Sequence, residues 1–133
     1  MAAVTVRSDG GVAQRIETAG GHEILADEPP PVGEDRGPDP YALLLGAIGA
    51  CAAMTATLYA RRKGWPLEGV EVELSHERVH AKDCAADGRC ERVYRRMTLL
   101  GPLDEAQRER ITEVAARCPV SRSVAAGIEI VAL

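Results

Sequence analysis

With 133 residues and a formal charge of −4, the chain is sized for one domain, 1–133, with a core of its own. Sixteen Lys and Arg without a basic patch, and an aromatic content of 3%, speak against nucleic-acid binding, which needs basic stripes and stacking rings. The N-terminus has neither the basic nor the apolar region of a signal peptide, which points to the cytoplasm. There, four cysteines are more often reduced, redox-active or metal-binding than a structural framework.

Three short strands open the chain. Ala3–Arg7 alternates, Ser8-Asp9-Gly10-Gly11 turns, Val12–Thr18 follows, and Ala19-Gly20-Gly21 turns into His22–Ala26. This pattern predicts an antiparallel meander. Asp27 to Pro40 is a loop whose five prolines forbid regular structure. The paired carboxylates Asp27-Glu28 and Glu34-Asp35 read as solvated. Arg36 lies four residues before the next element, placed to reach a pocket beside it.

That element is Tyr41–Ala60, twenty residues without a charge. It is long enough to span a bilayer, but about half of it is Ala or Gly and only five residues are Leu or Ile. The composition predicts a central helix buried in protein rather than a membrane anchor. Gly46, Ala50, Ala53, Thr57 and Ala60 form a small-residue stripe, and Cys51 lies on another face. Arg61-Arg62-Lys63 suits the negative helix end, and Gly64 stops it. With no Phe, one Trp and three Tyr, large side chains are scarce, which suggests a core shared between two subunits.

Val70–His80 and Glu91–Leu100 alternate as the strands of a hairpin. Val70, Val72 and Leu74 share one face with Val93, Met97 and Leu99; Glu71, Glu73 and Glu77 face outward, where Arg92 and Arg96 can pair with them. A helix starts near Asp104, whose spacing to Gln107 matches a capping box. Ile111, Val114, Ala115 and Cys118 recur on its buried face. Cys118-Pro119 breaks it, and Pro119–Ala126 begins a short helix stopped by Gly127. Ile128–Leu133 reads as a final strand.

Cys51 and Cys118 admit two readings. They are small core residues, or a redox pair in which one thiolate attacks an oxidant and the other resolves the sulfenic acid as a disulfide. Cys118 falls at a helix N-terminus, where N–H groups favour a thiolate. Cys84 and Cys90 bracket the hairpin tip, where plain exposed thiols are the simplest reading, with a local disulfide or a zinc clip open. His76 and His80 lie roughly 13 Å apart along a strand, too far to bind one ion together. No phosphate loop or G-x-S-x-G is present.

GPDPYALLLGAIGACAAMT, from Gly37 to Thr55, resembles the central helix of the OsmC/Ohr family, the osmotically induced and organic hydroperoxide resistance proteins. RCPVSRSV, from Arg117 to Val124, resembles that family's second cysteine motif. The order of elements agrees, so the resemblance covers nearly the whole chain. The cysteines and histidines of the hairpin tip suggest an OsmC-like subgroup. The resemblance implies an α+β, OsmC-like fold, with antiparallel sheets around a long central helix in an intertwined homodimer. It implies that Cys51 is the peroxidatic thiol and Cys118 the resolving one. The substrates would be organic hydroperoxides and the reductant a dithiol such as a lipoyl group, or a small thiol, with no bound metal or flavin. The family's peroxidases place a glutamate just after the entrance proline and pair it with an arginine that activates the thiol. Here Tyr41 and Ala42 follow Pro40, and the arginine is Arg7 or Arg36. That departure supports an alternative: an OsmC-like protein with weak or no peroxidase activity that binds a small apolar or thiol ligand in the interface pocket.

Overall fold

A computed structural model of the chain describes residues 2–133. In order the elements are β1 (Val4–Ser8), β2 (Gln14–Thr18), β3 (Glu23–Ala26), α1 (Pro40–Lys63), β4 (Gly69–Arg78), β5 (Glu91–Leu100), α2 (Glu105–Ala116) and α3 (Pro119–Ala126). Two compact units make up the chain, Met1–Leu44 and Leu45–Leu133.

In the first unit the three strands pair in chain order, all antiparallel. The register aligns Val6, Ile16 and Ile24 in one cross-strand row. The proline loop that follows overturns one expectation. Asp27 is 4% exposed rather than solvated. A loop without regular structure must satisfy its backbone donors somehow, and this carboxylate does so. Its oxygens accept from the N–H groups of Glu28 at 2.8 Å and of Glu34 and Arg36 at 3.2 Å each. Burial alone raises its pKa, but those donors and the Arg36 charge outweigh that and hold it below the usual carboxylate range. Gly37 lets the loop close on β3, for a Cβ there would lie 1.9 Å from the Leu25 carbonyl oxygen.

In the second unit the two expected strands form the hairpin. Val70 faces Leu99, Val72 faces Met97, Leu74 faces Arg95 and His76 faces Val93. Side chains opposite each other share a face, so Arg95 lies on the apolar side. On the other side Arg96 pairs with Glu73 at 3.4 Å, and the Tyr94 hydroxyl donates to Glu77 at 2.9 Å. The apolar face meets α1 closely, since a Cβ on Gly49 would lie 2.7 Å from Leu74 Cδ1. Tyr59, Ala56 and Ala60 of α1 join Leu99, Leu103, Ile111 and Ala115 in the core. α1 ends in a Schellman motif: Trp65 N–H reaches Ala60 O at 2.9 Å, Gly64 N–H reaches Arg61 O at 3.1 Å, and Gly64 takes φ 70°. The Asp104–Gln107 capping box forms, with backbone-to-side-chain bonds of 2.8 and 3.0 Å.

Three expectations are corrected here. α1 is buried on one face only, through Ile48, Gly49, Ala52, Ala56, Tyr59 and Ala60, while Met54 and Leu58 stay 64% and 63% exposed. Residues 128–133 form no strand, and Ile130 is 94% exposed: an extended segment is a strand only where another strand accepts its hydrogen bonds, and none pairs with it among the described residues. Cys84 and Cys90 are joined in a disulfide rather than left as thiols. The tip folds tightly, with Gly88 N–H on Ala85 O and Ala85 N–H on Arg89 O, and this brings the two cysteines face to face.

Candidate active site

Two elements of the second unit bring the free thiols together. Cys51 lies on α1, half-buried, and Cys118 is the N-cap of α3, fully buried. The residue before a proline is pushed out of helical geometry, and Cys118 takes φ −62°, ψ 154°. Its carbonyl accepts the first bond of α3 from Arg122 N–H at 3.0 Å. The Cys51 side chain is close enough to Cys118 to help lower its pKa. Cys118 Sγ also lies 3.0 Å from Ser121 Oγ, one turn into α3. Ser121 Oγ in turn accepts from Arg95 Nη1 at 3.2 Å.

These neighbours set the chemistry of Cys118. Burial pushes its thiol up, because a thiolate loses solvation. Hydrogen bonds from the Ser121 hydroxyl and backbone N–H, the Cys51 side chain, and the Arg95 charge more than offset burial, so the pKa lies below the usual cysteine range. Ile48, one turn before Cys51, and Ser121, one turn after Cys118, help line a cavity of about 350 Å³. Its apolar wall is Ile48, Val93, Val124 and Ala125; its polar side is Arg89, Glu91, Arg95 and Ser121. The Arg89 guanidinium donates to the Ala125 carbonyl at 2.9 Å and so ties the hairpin tip to α3. His76 Nε2 lies 3.4 Å from Glu91 Oε1 on the same side of the hairpin. The arrangement offers a half-buried thiol, a second, buried thiol whose pKa it helps to lower, and a pocket with an apolar wall.

The OsmC-like protein family matches residues 33–132. The chain belongs to this family. Solved structures agree on the fold. An OsmC-like protein from Mycoplasma pneumoniae is 20% identical with a TM-score of 0.76, over 94% of this chain and 87% of that one. An organic hydroperoxide resistance protein OsmC from Legionella pneumophila is 21% identical with a TM-score of 0.64, over 90% and 87%. The organic hydroperoxide resistance protein OhrB of Bacillus subtilis is 20% identical with a TM-score of 0.60, over 92% and 88%. No curated protein matches the chain.

In this OsmC-like protein the two expected arginines belong to the first unit. Arg7, on β1, forms an ion pair with Glu17 on β2. Arg36 lies in the proline loop, and both line one hollow with Arg15 and Leu25. The arginine beside Cys118 in the second unit is Arg95, which the reading of the sequence did not single out. Its signal was present: the alternation that puts Val93, Met97 and Leu99 on the inner face puts Arg95 there too. A charge inside an apolar row is expensive without a partner, and that is the clue to look for.

Proposed function

We propose that this OsmC-like protein is a thiol-dependent peroxidase that reduces organic hydroperoxides. The placement of the two motif cysteines, close enough for the Cys51 side chain to help lower the Cys118 pKa, carries the reading. Cys51 is the more exposed of the two thiols, and Ile48, one turn before it on α1, lines the hairpin–α3 cavity. Cys51 passes its proton to the Cys118 thiolate, and the resulting Cys51 thiolate attacks the terminal oxygen of the hydroperoxide; that proton then goes to the departing alkoxide. The O–O bond breaks, the alcohol leaves with a proton, and Cys51 becomes a sulfenic acid. Cys118 then attacks the Cys51 sulfur, water leaves, and a disulfide forms. A dithiol, such as a lipoyl group, returns both thiols by exchange and is itself oxidised to a disulfide. The electrons come from thiols throughout, so the cycle as written draws on no bound metal or flavin. The apolar wall of the cavity suits an alkyl group.

The same reading includes a homodimer in the cytoplasm. Met54 and Leu58 on α1 and Ile128, Ile130 and Val131 near the C-terminus are apolar and exposed in the single chain. Apolar surface of this kind favours burial against another surface, and a second copy supplies one. The activating arginine from the first unit remains Arg7 or Arg36.

A second reading rests on Tyr41 and Ala42, which stand where the family's peroxidases carry a carboxylate. In it the pocket holds a small apolar or thiol ligand without turnover. Steady-state reduction of an alkyl hydroperoxide with a dithiol separates the two. Cys51→Ser is expected to abolish turnover. Turnover unchanged in that variant defeats the peroxidase reading, and no turnover in the wild type leaves the binding reading standing.

A further inference from the structure

The apolar face of the hairpin carries two guanidiniums, Arg78 at its end, paired with Glu91, and Arg95 within it. Arg95 stands between Val93 and Met97 and opposite Leu74, half-buried. The ion pairs of the hairpin, His76–Glu91, Arg78–Glu91 and Arg96–Glu73, do not include it. Its Nη1 donates instead to Ser121 Oγ at 3.2 Å, and that oxygen lies 3.0 Å from Cys118 Sγ. A guanidinium, a hydroxyl and a thiol thus form one chain across β5 and the first turn of α3. We propose that Arg95 and Ser121 are a positioning pair that holds Cys118 as a thiolate, which makes Cys118 the sulfur that departs when the Cys51–Cys118 disulfide is reduced. The redox half of this statement rests on the peroxidase reading.

In the thiol form Cys118 Sγ donates to Ser121 Oγ. Once Cys118 is a thiolate, the hydroxyl, whose oxygen accepts from Arg95, turns its one proton to the sulfur, and accepting from a cation makes it a stronger donor. A donor to sulfur and a positive charge behind it both favour the thiolate over the thiol. The other charged or titratable groups near Cys118 are Cys51 from α1, Arg89 and Glu91 on the wall of the cavity that Ser121 lines, and Arg117 and Arg122 along its own segment. Arg89 is paired with Asp87 at 2.7 Å, Glu91 with His76 at 3.4 Å, and Arg117 with Glu113 at 3.6 Å. Arg95 is the cation that acts on the sulfur.

Two steps follow from this arrangement. In resolution, the Cys118 thiolate attacks the Cys51 sulfur; the S–S bond forms, the S–O bond breaks, and hydroxide leaves with a proton as water. In reduction, a thiolate of the reductant attacks the Cys51 sulfur; the S–S bond breaks and its electron pair goes to Cys118. The lowered pKa of Cys118 makes it a good leaving sulfur. Access favours the same direction, since Cys118 is 0% exposed and Cys51 is half-buried. The reductant is therefore carried transiently on Cys51.

The test is a titration of the full chain carrying Cys51→Ser, with the Cys84–Cys90 bond intact, so that Cys118 is its one free thiol. Thiolate absorbance in the ultraviolet is followed against pH. Adding Arg95→Met is expected to raise the midpoint by at least about one pH unit, or about tenfold less thiolate at a given pH below it, as loss of a nearby opposite charge does. Arg95→Lys, which keeps the charge, is expected to restore most of the shift, and Ser121→Ala to raise the midpoint by less than Arg95→Met. An unchanged midpoint in folded Arg95→Met overturns the proposal; should that variant not fold, an unchanged midpoint in Ser121→Ala does so. No peroxide enters this titration, so its failure is distinct from a failure of turnover at Cys51. A second arm treats the oxidised wild type with a monothiol, quenches with acid and maps the adduct. An adduct on Cys51 is expected, and an adduct on Cys118 overturns the assignment of the leaving sulfur.

Discussion

Replacing Ile111 by alanine tests the packing that holds the second unit around the thiols. Ile111 is 0% exposed and lies among Ala56, Tyr59 and Ala60 of α1, Leu99 of β5, Leu103, and Ala115 of its own helix. The change removes three carbons, worth about 2.4 kcal/mol at roughly 0.8 kcal/mol each. The cavity left behind adds to this. Three of the neighbours are alanines on helices, which have no side chain to swing into the gap. A residual cavity of about 50 Å³ adds about 1.2 kcal/mol at ~24 cal/mol per Å³. The expected loss is therefore about 3–4 kcal/mol, within the usual range for buried Ile→Ala. Urea unfolding at neutral pH and fixed protein concentration measures it, with Ile111→Val expected to lose only about 0.5–1.5 kcal/mol. A loss under about 1 kcal/mol for Ile111→Ala, with an unchanged m-value, refutes the packing argument.

Two further outcomes are expected. Asp27 has its folded pKa below the unfolded value of about 3.9, so its stabilisation is present above about pH 4 and is lost as pH falls through the folded value. In Asp27→Asn one oxygen becomes a donor facing N–H groups; the stability gap to wild type is expected to be widest near neutral pH and to shrink in acid, and a gap independent of pH contradicts the role given to this carboxylate. Sedimentation equilibrium is expected to return twice the chain mass for the wild type and a shift toward the monomer for Met54→Lys with Leu58→Lys; a monomeric wild type removes the homodimer.

Much of the fold was legible because its signals are local. Alternation found both strands of the hairpin, Asp104 with Gln107 marked the start of α2, and Cys118-Pro119 marked the junction with α3. What failed depends on partners distant in sequence. Residues 128–133 alternate as a strand does, but pairing is a property of two strands. Asp27 looked solvated because carboxylates in loops usually are; its burial arises from N–H groups seven and nine residues further on. The disulfide at the tip depended on how tightly residues 84–90 turn back. At the site, the motifs singled out both thiols, and their closeness comes from the packing of α1 beside the start of α3. Arg95 was missed because the alternation of β5 was followed only through its apolar members, while its place on that face follows from the register opposite Leu74.

The central claim is that Cys51 and Cys118 act as one redox pair. Mass spectrometry of the wild type after one equivalent of an alkyl hydroperoxide tests it most directly. The expected product has lost two hydrogens, with the peptides that contain Cys51 and Cys118 linked, and the link is absent in Cys51→Ser. Two unaltered free thiols after the same treatment contradict the claim.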